Sequence, residues 1–184
     1  MSIKAVLLDR DGTLIEDKDY AYKVEDLEIL PGVIEGLKLL QNRYIFIIVT
    51  NQSGIGRGYY TTEDFHNFNN HLIKLLHKEN IEILKTYFCP HLREEDCECR
   101  KPKTGFIEEI VVEFNVSVQE SWMMGDHPSD IEFGINAGCK TVFLTTGHGN
   151  RHKEELESLG ISPTMISNNF LEAAKKILEY DELK

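Results

Sequence analysis

The sequence predicts an α/β fold built on a mainly parallel sheet. Apolar runs of strand length alternate with helix-length segments along the whole chain, and polar segments rich in carboxylates, amides and cations follow the apolar runs. The first strand is expected over Ile3 to Leu8. A helix from Pro31 to Asn42 follows, with Pro31 suited to its first turn because a missing N–H costs nothing there. Tyr44 to Val49 reads as the second strand and Thr61 to Glu79 as a long helix opened by a Thr61/Asp64 capping box. The pattern continues with a strand at Leu84 to Phe88, a helix from about Thr104 to Phe114, and a strand at Ser121 to Met124. A short helix over Pro128 to Ala137 is stopped by Gly138, then come a strand at Lys140 to Leu144 and a last helix ending near Tyr180. The expected architecture is a Rossmann-like three-layer sandwich with helices on both faces of the sheet.

A chain of 184 residues suits one domain, taken here as residues 1–184. Neither the stretch between Asp11 and Thr50 nor that between Thr50 and Lys101 is long enough for a large cap domain. Twenty Lys plus Arg against 31 Asp plus Glu give a net charge of -11, which disfavours a polyanionic partner such as nucleic acid. The N-terminal apolar run, Ala5 to Leu8, is too short for a signal-peptide core, and no segment approaches the roughly 18 apolar residues of a membrane span. A cytoplasmic monomer with a small-molecule substrate and no membrane partner is therefore expected. Three of the 4 cysteines, Cys89, Cys97 and Cys99, cluster tightly, a pattern that in an intracellular chain points to metal more than to disulfides. Cys139 reads as a small buried hydrophobe.

Four polar segments follow apolar runs, and in an open parallel sheet ligands bind outside the carboxyl ends of the strands. The first is Asp9-Arg10-Asp11-Gly12-Thr13. There Asp9 can act as a covalent nucleophile, Asp11 can hand a proton to a leaving oxygen, and Gly12 lets the chain turn away. Taken alone this motif also fits a strand-to-turn junction with two solvated acids. The second runs from Thr50 to Gly58, where Thr50, Asn51, Gln52 and Ser53 offer neutral donors to phosphate oxygens and Arg57 adds charge; an ordinary polar turn is the alternative. In the third, Arg100 and Lys101 supply fixed positive charge of the kind a transferring phosphoryl group needs. In the fourth, Asp126 joins Asp9 and the backbone carbonyl of Asp11 as an oxygen set suited to Mg²⁺. Cys89, His91, Cys97 and Cys99 make a tetrahedral donor set for a structural Zn²⁺, unmetallated thiols being the alternative.

In their order along almost the whole chain, these residues resemble the haloacid-dehalogenase-like phosphatases. The resemblance implies that Asp9 is the phosphorylated nucleophile, Asp11 the acid/base, Thr50 the phosphate-binding hydroxyl, Lys101 the phosphate-stabilising lysine and Asp126 the magnesium-binding acid. It also implies that Asp130 supports the metal acids from behind. His127, adjacent to Asp126, is placed to contact substrate; a half-exposed histidine without a role is the alternative. The cysteine loop, with Thr50-Asn51-Gln52-Ser53-Gly54 and Cys99-Arg100-Lys101-Pro102, is similar to the subfamily of heptose-bisphosphate and histidinol-phosphate phosphatases. The run Gly54-Ile55-Gly56-Arg57-Gly58, Asp17-Lys18-Asp19-Tyr20 and the segment Leu27 to Gly32 favour the heptose-bisphosphate side; the short spacing from His91 to Cys97 favours the histidinol-phosphate side. The expectation is Mg²⁺-dependent removal of the 7-phosphate of a heptose 1,7-bisphosphate through an aspartyl-phosphate, with Arg100 and Arg57 available to a second phosphate. Histidinol phosphate is the alternative substrate. A DNA 3′-phosphatase and a non-catalytic zinc-stabilised binding protein are the rival readings.

Overall fold

In a computed structural model describing residues 2–183, one sheet carries the strands β1 (Ala5–Leu8), β2 (Ile45–Asn51), β3 (Ile83–Cys89), β4 (Trp122–Gly125), β5 (Lys140–Leu144) and β6 (Met165–Ser167). Their order is β3-β2-β1-β4-β5-β6 and every pairing is parallel. The chain grows outward from β1 through β2 to β3, then returns to lay β4 on the other side of β1. That reversal opens a crevice at the carboxyl ends of β1 and β4.

Side chains alternate between the two faces of a strand, so a continuous apolar run serves a sheet covered on both sides. Val6, Leu8, Phe46, Ile48, Trp122 and Met124 belong to one core layer, whereas Ala5, Leu7, Ile47, Val49 and Met123 belong to another. The first layer is closed by helices α1 (Val33–Leu40), α3 (Thr62–Lys78) and α7 (Phe170–Glu182), through residues such as Leu37, Phe68, Leu72 and Ile177. On the opposite face, α4 (Ile107–Phe114) and α5 (Pro128–Ala137) contribute Ile110 and Phe133. Cys139 lies in this second layer, as its apolar surroundings in the sequence suggest. A one-turn helix, α2 (Ser53–Gly56), follows β2 directly, and α6 (Gly149–Leu159) packs through Leu156 onto Ile131 and Phe143. Among the described residues, no helix is long and apolar enough to cross a membrane.

Two of the three terminal signals carry through to the structure. Thr61 and Asp64 form a reciprocal capping box, and Gly138 ends α5 in the left-handed conformation at φ 83°; α5 also starts at Pro128, as expected. Pro31 does not sit in a first turn. Gly32, at φ 83°, is the N-cap of α1 and the helix starts only at Val33, so the proline precedes the cap. Helix α6 and strand β6 have no counterpart in the sequence reading. The only buried residues of α6 are Gly149 and Leu156, too few to write an apolar stripe, and β6 has 3 residues.

Helix α7 is capped by Asn169, whose Oδ1 accepts from the Glu172 backbone N–H at 2.9 Å. Asn169→Ala should cost about 1 kcal/mol and lower the melting temperature by roughly 2–4 °C in a chain of this size, read by thermal unfolding. An unchanged melting temperature would show that α7 is held by its packing on α1 alone.

Candidate active site

The sheet edge predicted to carry the chemistry brings the predicted residues together. Asp9 leaves β1, Thr50 and Asn51 end β2, Cys89 ends β3 and Asp126 leaves β4. One cleft is lined by Asp9, Asp11, Thr50, Lys101, Asp126 and Asp130, with Asn51, Arg100, His127, Asp17, His148 and His152 around its rim.

At its floor lies the Lys101 ammonium, with only 1% of its side chain exposed. Its three N–H groups have three partners: Asp9 Oδ1 at 2.6 Å, the Val49 carbonyl at 2.6 Å and Asp130 Oδ1 at 2.7 Å. Burial opposes the charged lysine, but Asp130 and Asp9 outweigh it and raise its pKa. Asn51 fixes the lysine backbone, accepting from the Lys101 N–H at 3.0 Å and donating to the Lys101 carbonyl at 3.1 Å. Its amide therefore positions the cation from the end of β2.

Asp130 uses its other oxygen, Oδ2, to accept from the His127 N–H at 3.0 Å, capping α5 while it holds Lys101. Gly125 makes this close approach possible, since a Cβ there would lie 2.2 Å from Asp130 Oδ2. Gly12 does the same for Asp126: it sits at φ +78°, and a Cβ would meet Asp126 Oδ2 at 2.2 Å. Asp126 Oδ2 also accepts from the His148 N–H at 3.0 Å. Ligand oxygens of Asp9, Asp126 and Asp130 all lie within 4.8 Å of one another. Burial, then repulsion from Asp9 and Asp130, pushes Asp126 up to about 9. Burial likewise raises Asp9, against the opposing pull of Lys101.

Asp11 is gripped from the side. Arg10 Nη2 donates to its Oδ1 at 3.0 Å and Oδ2 at 2.9 Å, Arg10 Nε donates to Oδ2 at 3.1 Å, and Gln52 Nε2 donates to Oδ2 at 2.8 Å. Arg10 is 1% exposed, its Nη1 has no hydrogen-bond partner, and its guanidinium lies 4.9 Å from the Phe68 ring centre and 5.3 Å from that of Phe65. The aromatic faces attract the charge that water cannot reach. Gln52 also donates to Thr50 Oγ1 at 2.9 Å and accepts from Tyr60 at 2.7 Å, so this buried amide locks the hydroxyl and the acid together. Ser53 lines the adjoining cavity with Tyr20 and Tyr60. Arg57 does not reach the cleft: it follows the single turn of α2, is exposed, and lines neither cavity.

The rim contains residues that the sequence reading did not single out. His148 pairs with Asp17 at 3.4 Å, and His152 Nδ1 lies 3.3 Å from the Asp126 carbonyl. Asp17 is raised by burial and by Asp11. His127 caps α5, its Nδ1 lying 3.1 Å from the Ser129 N–H, and burial lowers its pKa. The strand-end rule would have found His148 and His152 had it been followed past Leu144, because the loop after β5 opens on the same edge.

Cys89, His91, Cys97 and Cys99 converge in the loop before Lys101. Their neighbouring donor atoms are 3.2–3.6 Å apart, close to the edges of a tetrahedron with Zn–S bonds of about 2.3 Å. Arg100 Nη1 donates back to the His91 carbonyl at 3.3 Å, tying this loop to the cleft.

Comparison with known proteins gives one consistent neighbourhood. Residues 98–173 match a family described as HAD-hydrolase-like. The chain is 43% identical over 156 residues to the D-glycero-alpha-D-manno-heptose-1,7-bisphosphate 7-phosphatase of Campylobacter jejuni, covering 84% of this chain and 87% of that protein. It is 42% identical over 143 residues to the D-glycero-beta-D-manno-heptose-1,7-bisphosphate 7-phosphatase of Helicobacter pylori, covering 77% and 83%. A crystal structure of the D,D-heptose 1,7-bisphosphate phosphatase from B. bronchiseptica, complexed with magnesium and phosphate, superposes with a TM-score of 0.86 at 26% identity, over 97% of this chain and 99% of that one.

The raised Asp126 pKa has a stability consequence. The folded chain holds the Asp126 proton more tightly than the unfolded chain, whose carboxylate has the ordinary value of 3.8, so stability without divalent metal falls as pH rises between that value and about 9. Asp126→Asn should flatten this fall, measured as melting temperature against pH in magnesium-free buffer. Parallel curves for the two proteins would show that Asp126 does not carry the effect.

Proposed function

The chain belongs to the haloacid-dehalogenase-like phosphatases, and we propose that it removes the 7-phosphate of D-glycero-D-manno-heptose 1,7-bisphosphate through an aspartyl-phosphate on Asp9. The observation that carries the chemistry is the buried Lys101 ammonium bridging Asp9 and Asp130 beside Asp126. The substrate reading rests on the relatives, together with Arg100, which lines both the reacting cleft and the cavity beyond it and is placed to hold a distal phosphate.

Three buried carboxylates lie together while the one ammonium among them pairs with only Asp9 and Asp130, and burial works against charge on Asp9 and Asp126, so the site fits a small divalent cation. Asp9, Asp126 and the Asp11 carbonyl would hold Mg²⁺; both oxygens of Asp130 already have partners, which suits it to support. Bound there, magnesium supplies positive charge to the phosphoryl oxygens. Asp9 Oδ1 is committed to Lys101, so attack falls to Oδ2: its bond to phosphorus forms as the bond from phosphorus to the sugar oxygen breaks. Asp11, held by Arg10 and Gln52, gives its proton to that departing oxygen. It then takes a proton from the water that cleaves the aspartyl-phosphate and releases inorganic phosphate. Lys101 and Thr50 stabilise the charge that spreads over the equatorial oxygens.

The cysteine and histidine cluster fits Zn²⁺ in a structural role, since four protein donors leave no open position for a reacting water. Zinc there would fix the loop that delivers Arg100 and Lys101.

Asp9→Asn should lower magnesium-dependent turnover by roughly 10³-fold or more in a chain that still folds, because the amide keeps the shape and an acceptor for Lys101 but loses the nucleophile. Near-parent turnover would sink the covalent route. A substrate panel decides specificity: kcat/KM is expected to be highest for the heptose bisphosphate, and a preference for histidinol phosphate or for a 3′-phosphorylated oligonucleotide would overturn the substrate assignment. Elemental analysis after dialysis should find about one zinc per chain, lost in Cys97→Ser; a parent protein without zinc would return the cluster to free thiols.

A further inference from the structure

We propose that His127, His152 and Glu155 form a separate transition-metal site at the mouth of the cleft, taking Zn²⁺ or a cation of similar softness, and that its occupancy blocks entry. The three residues come from two elements. His127 stands at the start of α5, and His152 and Glu155 lie three residues apart on α6, on one face of that helix. One donor atom from each lies within 4.8 Å of the others. Donors around a tetrahedral zinc with bonds of about 2.0–2.1 Å are roughly 3.3–3.5 Å apart. Glu155 is exposed, so its carboxylate is free to adjust its own distances to the two imidazoles by rotation.

Ring orientation is the second observation. His152 Nδ1 is 3.3 Å from the Asp126 backbone carbonyl, which can only accept, so the proton sits on Nδ1 and the Nε2 lone pair is free. Metal-binding histidines are commonly oriented in this way, the far nitrogen donating to a carbonyl. His127 Nδ1 accepts from the Ser129 N–H at 3.1 Å and lies 2.9 Å from Ser129 Oγ; binding a metal at Nε2 moves the ring proton to Nδ1, which then donates to that hydroxyl in place of accepting the cap. The two rings are 4.4 Å apart, centre to centre.

Two imidazoles and a carboxylate suit Zn²⁺, Ni²⁺ or Cu²⁺ and are poor ligands for Mg²⁺, which favours the all-oxygen set around Asp126. The site therefore discriminates by donor type from the magnesium acids and, having no sulfur, from the cysteine cluster. His127 and His152 both line the reacting cleft, and Glu155 lines the cavity next to it. A cation bridging them ties α5 to α6 across the entrance.

The test titrates Zn²⁺ into magnesium-saturated protein whose cysteine loop is already loaded, following binding by calorimetry and turnover with p-nitrophenyl phosphate. Expected is one further equivalent per chain, with turnover falling in step and not restored by tenfold more Mg²⁺. Glu155→Gln should keep its uninhibited turnover and need at least about tenfold more Zn²⁺ for half-inhibition. Co²⁺ at this site should give weak visible bands without the near-ultraviolet charge transfer of a thiolate. The proposal is overturned by the lack of a further equivalent, by inhibition that magnesium competes away, by equal zinc potency in Glu155→Gln, or by a thiolate band. Calorimetry and the cobalt spectrum need no turnover, so they decide the site even if the phosphatase reading fails.

Discussion

One buried ammonium organises this site. Lys101 is held by Asp9 at the end of β1, by the Val49 carbonyl within β2 and by Asp130 in the first turn of α5. Those three contacts join elements that are far apart in sequence, and they converge on the crevice left where β4 crosses to the other side of β1. Removing one partner of a buried charge network typically costs about 3–5 kcal/mol, because the remaining charges stay behind without solvent. Architecture and site geometry are thus coupled at one nitrogen: the ammonium that seats α5 against the strand ends also fixes the Asp9 carboxylate.

That nitrogen has to arrive from a loop. The chain between β3 and α4 is irregular apart from one short helical turn, yet its end is fixed on two sides. Asn51 brackets the Lys101 backbone with both amide atoms, and Arg100 reaches back to His91 in the cysteine cluster. The Gln52 N–H donates to the Cys89 carbonyl at 2.7 Å, so the phosphate-side turn and the sulfur cluster share a backbone hinge point. Such bracing lets a cation sit at a defined place without a helix or strand beneath it.

Much of this was legible in the residues themselves. Continuous apolar runs announced strands covered on both faces, and the polar residues just beyond Leu8, Val49 and Met124 marked one edge, where Asp9, Thr50 and Asp126 meet. What escaped the sequence did so for physical reasons. Helix α6 presents a nearly polar surface with one buried leucine, so periodicity had nothing to register, and the histidines it brings to the rim went unseen with it. Arg57 sits in a glycine-rich turn that suggested a phosphate cradle, but the single turn of α2 carries it outward. Asn51 and Gln52 read as ligand donors, and their amides also hold Lys101 and Asp11, a bracing contact that only the third dimension shows.

Arg10 ties the hydrophobic core to the Asp11 carboxylate. Its guanidinium lies against Phe65 and Phe68 of α3 while its nitrogens grip Asp11, so part of the counter-surface of this cation is a pair of aromatic rings in a helix that never touches the cleft. An aliphatic side chain of similar bulk would fill the same space and seal the same core, yet it has no quadrupole to offer a charge. On the proposed mechanism, the inner face of α3 thus serves proton transfer as well as packing, and a chain that folds soundly with leucine at both positions would reveal the difference only when asked to turn over.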